Sequence, residues 1–221
     1  MSLILNIDCA TNTSLVQLVE EGGVLAAETN DQRGDHAAFL HPAIARILKK
    51  TERKTSDLKA VAVVSGPGSY TGIRIGMAAA KGLCLATGVP LILFNRLQLM
   101  AAAMKENFPI ASGFYCPMID ARRMEVFCAL YSDQLKQIIP PDAHILSTVS
   151  FREEVGENTM VVSGSGAEKF KNTSALSRLK LLPEPSLSNV FAIHSHAEFQ
   201  AGNFAHLVDS QPFYAKDFYN G

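Results

Sequence analysis

The sequence of 221 residues has little net charge and no long apolar run, and each absence excludes a class of protein. The formal net charge is −1, so the composition gives no basic footprint for strong nucleic-acid binding by the chain alone. No uninterrupted apolar stretch approaches the about 18 residues of a membrane span. The first apolar run ends at Asp8 and is too short for a secretory signal. We therefore expect a cytoplasmic protein with no membrane contact.

Metal-binding patterns are also missing. The four cysteines lie in apolar runs without ligand-like spacing, which indicates reduced core thiols. His36 and His41 are five residues apart on a predicted helix and do not share a face, so they do not form a metal pair. His194 and His196 fit an exposed helical pair better than a chelate. The sequence thus predicts no metal site.

What the sequence does contain is a clear βαβ unit. Residues 60–64 and 90–94 are short continuous apolar runs, which are typical of strands covered on both faces. Residues 65–69 form a glycine-rich turn, and residues 71–87 have good helix formers with a stop at 88–90. We therefore expect a parallel strand pair joined by a helix.

The glycine turn narrowly fails each phosphate-binding pattern. Gly66 and Gly68 fit Gly-x-Gly-x-x-Gly, but Thr71 takes the third position and the glycine comes one residue late, at Gly72. No lysine follows as a Walker loop requires. Two interpretations stay open: a tight turn whose glycines serve geometry, which is favoured, or residual anion contact through Gly66, Gly68 and Ser69 at the helix N-terminus.

Small residues recur every fourth position along the helix 71–87, at Gly72, Gly76, Ala80 and Cys84. Glycine inside a helix costs about 0.5–1 kcal/mol relative to alanine, so this stripe requires close backbone approach. It packs either on the chain's own sheet or on a partner helix. We expect the helices 36–50 and 71–87 to pair and to expose an apolar patch that is buried in a dimer.

The order of elements predicts an α/β fold with two related halves. Strands are predicted at 3–7, 13–20 and 24–29, followed by the helix 36–50 and the βαβ unit. A second half begins near Gly113, with strands at 115–120, 126–131 and 144–146. Residues 160–167 repeat the strand and glycine turn, and a helix is predicted at 189–209. This order is typical of the duplicated RNase H-like fold of the actin/Hsp70/sugar-kinase superfamily, with two mixed-sheet halves. The predicted domains are 1–105, joined by the tail 210–221, and 106–209.

Four segments in this order resemble the bacterial TsaB (YeaZ) family. They are residues 4–11, residues 65–76 with 80–83, residues 120–126 and residues 212–216. The resemblance covers nearly the whole chain and is strongest over 60–95. It implies a part in making threonylcarbamoyladenosine in tRNA, beside a catalytic relative, TsaD, of the same fold.

The same resemblance implies that this chain is not catalytic. The relative has a metal-binding His-x-x-x-His after the strand that follows the glycine turn, and here Arg96 and Met100 stand in those places. A guanidinium stays protonated and a thioether is a weak ligand, so neither replaces imidazole. We expect a scaffold without enzyme activity; the alternative is a metallopeptidase-like enzyme of the glycoprotease family.

Partners and cofactors follow from the resemblance. We expect no cofactor in this chain, with ATP and metal on partner subunits: the TsaD-type paralogue and a TsaE-type ATPase. The chain alone is expected to be a homodimer that meets tRNA only through the complex. Asp8 and Thr11 keep part of the superfamily's first phosphate turn, which lacks its glycine and basic residue, so only residual nucleotide contact is expected. The predicted partner interface comprises His36, Ala37, Leu40, Ile44, Ile47, Gly72, Ile75, Gly76, Ala79, Ala80 and Leu83.

One polar turn, at Asp120, Arg122 and Arg123, keeps two interpretations open. A salt bridge within the turn is at least as favoured as contact with a ligand.

Overall fold

The structure, a computed structural model, describes residues 2–32 and 34–216. The chain divides into two units, Met1–Arg96 with Ser188–Tyr214, and Leu97–Leu187 with Ala215–Gly221. Within the described residues, no helix combines the length and hydropathy needed to cross a bilayer.

The elements follow one another as ten strands, six α-helices and a short 3-10 turn at Thr55–Asp57 among the described residues. In chain order they are β1 (Leu3–Asp8), β2 (Ser14–Glu20), β3 (Gly23–Asn30), α1 (His36–Lys50), β4 (Ala60–Gly66), α2 (Tyr70–Thr87), β5 (Leu91–Asn95), α3 (Arg96–Asn107), β6 (Phe114–Asp120), β7 (Glu125–Ser132), β8 (Gln137–Ile145), α4 (Arg152–Val155), β9 (Met160–Ser163), α5 (Ala167–Thr173), β10 (Leu179–Leu181) and α6 (Ser188–Ala201).

The sheet of the first unit has the order β3-β2-β1-β4-β5. Strands β1, β2 and β3 are antiparallel, whereas β1–β4 and β4–β5 are parallel pairs, as the βαβ pattern predicts. Every residue of β1 and β4 is buried, which explains why apolar residues predominate in both strands. The predicted strands and both predicted helices of this half are confirmed.

The helices α1 and α2 contact each other, and each also packs on the sheet. The side chain of Ser69 caps α2 by accepting a hydrogen bond from the Gly72 N–H at 3.3 Å. Gly88 ends the helix in the left-handed conformation, with φ of 74°. The predicted pairing of these two helices is confirmed.

The helix α6 corrects the predicted domain boundaries. It was predicted at 189–209 in the second half, but it ends at Ala201 and belongs to the first unit. The Asn6 side chain donates to the Phe191 carbonyl at 3.2 Å and to Ser195 Oγ at 2.9 Å. Because these buried polar groups of the sheet need partners, the helix returns to the first unit, which ends at Arg96 rather than near residue 105.

The second unit repeats the topology of the first. Its sheet has the order β8-β7-β6-β9-β10, with β6, β7 and β8 antiparallel and with parallel pairs β6–β9 and β9–β10. The predicted duplication is therefore confirmed at the level of strand order. The strand β8 begins at Gln137 and is much longer than the predicted 144–146. It can include Pro140 and Pro141 because it lies at the edge of the sheet, where a missing N–H is tolerated.

Candidate functional site

The turn after β1 and the turn after β4 meet backbone to backbone. The Ser69 N–H donates to the Ala10 carbonyl at 2.6 Å. A Cβ at Gly68 would lie 1.9 Å from that carbonyl oxygen, and one at Gly72 would lie 2.0 Å from the Cys9 oxygen. Glycine is required at both positions because a second main chain occupies the space of a side chain.

A segment near the C-terminus, residues 203–214, packs on the other side of the same turn; we call it the closing segment. Its Phe213 N–H donates to the Ser65 carbonyl at 2.7 Å, and a Cβ at Gly66 would lie 2.2 Å from the Phe213 oxygen. Next to it, Arg74 Nε donates to the Tyr214 hydroxyl at 2.8 Å. The glycine turn is thus in contact with the chain's own backbone on two sides. This is the geometric role that the sequence favoured, while anion contact there stays a prediction.

A buried ion pair lies at the end of β1. Asp8 and Arg96 are 2% and 6% exposed, and the carboxylate Oδ2 accepts from Arg96 Nη1. The other carboxylate oxygen, Oδ1, accepts from the Ala10 N–H at 2.9 Å. Both oxygens of Asp8 therefore have partners within the chain. Thr11 is only partly buried, and its hydroxyl donates to the Thr13 carbonyl at 3.4 Å.

These residues do not fit a divalent metal. Arg96 brings a positive charge to the buried Asp8 carboxylate, and Met100 is fully buried with a thioether as its only donor. Among the described residues, no three histidine, cysteine or acidic side chains lie close enough together to hold a metal ion. The chemistry of the side chains present, a guanidinium and a thioether, is what argues against a metal at this position.

A second buried polar cluster lies beside the ion pair. Ser14 Oγ and His36 Nδ1 are hydrogen-bonded at 2.6 Å, and the Ser14 hydroxyl also contacts the Cys9 thiol. Burial, and then the charge of Asp8, raise the pKa of the Cys9 thiol to about 12. The thiol therefore stays protonated and is not a nucleophile at neutral pH.

Most of the predicted interface residues are buried within the first unit, and this corrects their assignment. The buried ones are His36, Leu40, Ile44, Ile47, Gly72, Gly76, Ala79 and Ala80. A Cβ at Gly76 would lie 3.6 Å from atoms of Ile7, Cys9 and Val63. The small stripe therefore faces the chain's own sheet, which is the other interpretation that the sequence left open. Among the predicted set, Ala37 is exposed, and Ile75 and Leu83 are partly exposed.

The sequence analysis expected the two helices to expose an apolar patch, but it did not identify the residues on the exposed side of α2. Ala78, Gly82, Leu85 and Ala86 lie three or four residues apart and are all exposed, so they form one face, which we call the α2 face. Leu85 is 79% exposed, and a Cβ at Gly82 would have no neighbour within 4 Å. On α1, the exposed side also carries small residues, at Ala37, Ala38 and Ala45. The small residues of α2 were visible in the sequence, but the sequence did not show which side of the helix faces the sheet.

Two mixed five-stranded sheets with matching strand order, and a glycine turn between β4 and α2, define a protein of the actin/Hsp70/sugar-kinase-like ATPase fold. A solved protein of Pseudomonas aeruginosa, described as similar to the peptidase YeaZ, superposes with a TM-score of 0.82 at 21% identity, covering 98% of this chain and all of the other. The ethanolamine utilization protein EutJ of Carboxydothermus hydrogenoformans follows at 0.53 and 12% identity, covering 87% and 89% of the two chains. At such identities these similarities show the fold alone.

The family is shown by sequence. Residues 9–215 match the family described as TsaD, tRNA N6-adenosine threonylcarbamoyltransferase, and the chain belongs to it, on the TsaB (YeaZ) side. The tRNA threonylcarbamoyladenosine biosynthesis protein TsaB of Bacillus subtilis is 33% identical over 62% of this chain and 59% of its own length. The protein of that name from Escherichia coli is 36% identical over 58% of this chain and 54% of its length. The chain thus spans less than two thirds of the length of these curated relatives.

Proposed function

We propose that this chain is a non-catalytic subunit of the assembly that makes N6-threonylcarbamoyladenosine in tRNA, and that it supports a TsaD-type transferase. The names of its curated relatives support a role in this pathway. The observation that carries the non-catalytic part is the buried pair of Asp8 and Arg96. A carboxylate that is neutralised by a guanidinium of its own chain is a poor ligand for a metal ion, and catalysis in the TsaD-type relative is expected to need that metal.

The proposed docking surface is the α2 face together with the exposed side of α1. An exposed leucine among small residues lets a second helix approach closely and bury apolar area. The side chain of Leu85 is largely in contact with water in the single chain, so its burial against a partner would be favourable. The same surface would hold two copies together when the partner is missing, and the heterodimer would replace that homodimer.

The remaining partners follow from this assignment. ATP and metal belong to the TsaD-type paralogue and to a TsaE-type ATPase, and tRNA is reached through the complex. This chain contributes a docking surface and no catalytic group. Its cysteines, which could act as nucleophiles elsewhere, are all buried.

The change Leu85→Glu tests the docking surface. We expect at least about a 30-fold loss of affinity for the TsaD-type partner, because a charge at the centre of an interface costs 2 kcal/mol or more. The melting temperature should stay the same, since the side chain is exposed. The measurement is calorimetric titration with the partner, beside a thermal melt.

Val149→Glu is the matched control, because Val149 is also apolar and 58% exposed but belongs to the second unit. Normal partner binding by Leu85→Glu would refute the surface assignment. Threonylcarbamoyl transfer or zinc-dependent peptidase activity by the pure chain would refute the non-catalytic role and support the metallopeptidase alternative.

A further inference from the structure

The hairpin between β6 and β7 has an unusual backbone at its tip. Arg122 and Arg123 both have positive φ, at 69° and 47°. A single non-glycine residue in this region is uncommon, and here two follow each other. Hairpin turns often hold residues in this region, as Glu21 and Leu135 show at the β2–β3 and β7–β8 turns, so the conformation fixes the course of the backbone at the two arginines and does not by itself indicate a binding site.

Four side chains around the tip fix this conformation. Asp120 Oδ1 accepts from the main-chain N–H of Arg122 at 2.7 Å and from Lys169 Nζ at 2.5 Å. Lys169 also donates to the Glu125 carbonyl at 3.1 Å, and Lys216 Nζ donates to Glu125 Oε2 at 2.5 Å. The salt bridges at the tip are therefore formed by two lysines from outside the turn, and Arg122 contributes only main-chain hydrogen bonds to the turn.

The guanidinium groups of Arg122 and Arg123 are therefore available to bind a ligand. Both arginine side chains are exposed, and neither has a hydrogen bond or ion pair with any residue that the structure describes. The two carboxylates at the tip are already neutralised, each by one lysine. The tip thus presents two positive charges in excess, on a chain whose net charge is −1.

We propose that this tip, with Arg122 and Arg123 on the β6–β7 turn, binds the phosphate backbone of RNA. A guanidinium presents a planar fork of donors that matches phosphate oxygens two at a time. A rigid turn presents both forks with less loss of conformational freedom than a flexible loop. The choice of RNA over an acidic protein rests on the proposed function, in which the complex acts on tRNA.

The test uses the double variant Arg122→Ala/Arg123→Ala, which keeps the Cβ atoms and so the backbone. Fluorescence anisotropy with an unmodified tRNA transcript is recorded for the chain alone at low salt and for its complex with the TsaD-type partner over a salt series. We expect roughly a tenfold weaker affinity and a salt slope lower by about 2, because each lost phosphate contact removes somewhat less than one unit of slope. The variant Arg122→Lys/Arg123→Lys should retain most of the slope.

The matched control is Lys136→Ala/Arg178→Ala, which removes two exposed cations at the opposite end of the same sheet. Wild-type RNA affinity and slope in the arginine variant would overturn the proposal. Loss of partner binding with RNA binding unchanged would overturn it in favour of a protein contact. Failure of the wild-type chain to associate with its partner overturns the proposed function instead. The chain alone at low salt then decides the role of the tip, which is overturned if its tRNA affinity is undetectable or is the same in the arginine variant.

Discussion

Three glycines of α2 form a natural series, because the same change to alanine meets three different surroundings. A Cβ at Gly76 would lie 3.6 Å from three side-chain carbons of the sheet, which is ordinary contact. A Cβ at Gly72 would lie 2.0 Å from the Cys9 carbonyl oxygen, and a Cβ at Gly82 would meet nothing within 4 Å. Comparing the three variants separates helix propensity from packing.

The expected changes in the free energy of unfolding differ in sign among the three variants. Gly82→Ala should stabilise the fold by about 0.5–1 kcal/mol from helix propensity alone. Gly76→Ala should gain at least as much, since the new methyl is buried without a clash. Gly72→Ala must separate two main chains by about 1 Å, and we expect a loss of about 3 kcal/mol, at the upper end of overpacking. For a chain of this size, 1 kcal/mol corresponds to roughly 2–4 °C in melting temperature.

Thermal melts and urea unfolding measure the series. A Gly72→Ala protein as stable as Gly76→Ala would refute the backbone contact at Cys9. The larger change Gly76→Leu extends the test to function: it should lower the melting temperature and leave partner affinity per folded molecule unchanged, because Gly76 faces the chain's own sheet. Weakened binding by a fully stable Gly76→Leu protein would return Gly76 to the interface.

Three further predictions concern the same unit. Asp8→Asn and Arg96→Met should each cost about 3–5 kcal/mol in urea unfolding, because each breaks a buried ion pair, and the double variant should cost less than the sum; additive losses would contradict the pairing. The contribution of Cys9 to stability should be constant below about pH 9 and fall as the pH rises from about 9 towards 12, because its raised pKa keeps a proton in the folded state that the unfolded thiol releases; a Cys9→Ala protein should lose this part of the alkaline dependence. Tyr214→Phe should lower the melting temperature only slightly, because the hydroxyl that accepts from Arg74 lies at the surface and water can replace it; a large loss would contradict this.

Local sequence signals predicted much of the first unit. Unbroken apolar runs gave β4 and β5, and the glycine turn and Gly88 bounded α2 to within one residue. These signals work because a strand buried on both faces and a helix stop are decided by residues close together in the chain. The helix α3 was missed because it follows β5 directly at Arg96, with no turn residue between them.

Contacts between distant residues could not be predicted. Asp8 and Arg96 are 88 positions apart, and a composition of apolar and charged residues does not say which charges meet. The orientation of α2 was ambiguous for a related reason: small residues line its buried side at Gly72 and Gly76 and also its exposed side at Gly82. Only the position of the sheet decides which side is covered.

The first unit is assembled from both ends of the chain, and this has a consequence for biosynthesis. Asn6 has its hydrogen-bond partners on α6, and the glycine turn has a backbone partner on the closing segment. Both of these partners are translated only after the whole stretch 97–187. At about 5–20 residues per second, the apolar sheet stays incomplete for roughly 5–20 s after its last strand is made. A chain whose synthesis had reached Ser188 would therefore contain the strands of both units but lack the segments that complete the first, and its exposed sheet is the surface that a chaperone would meet.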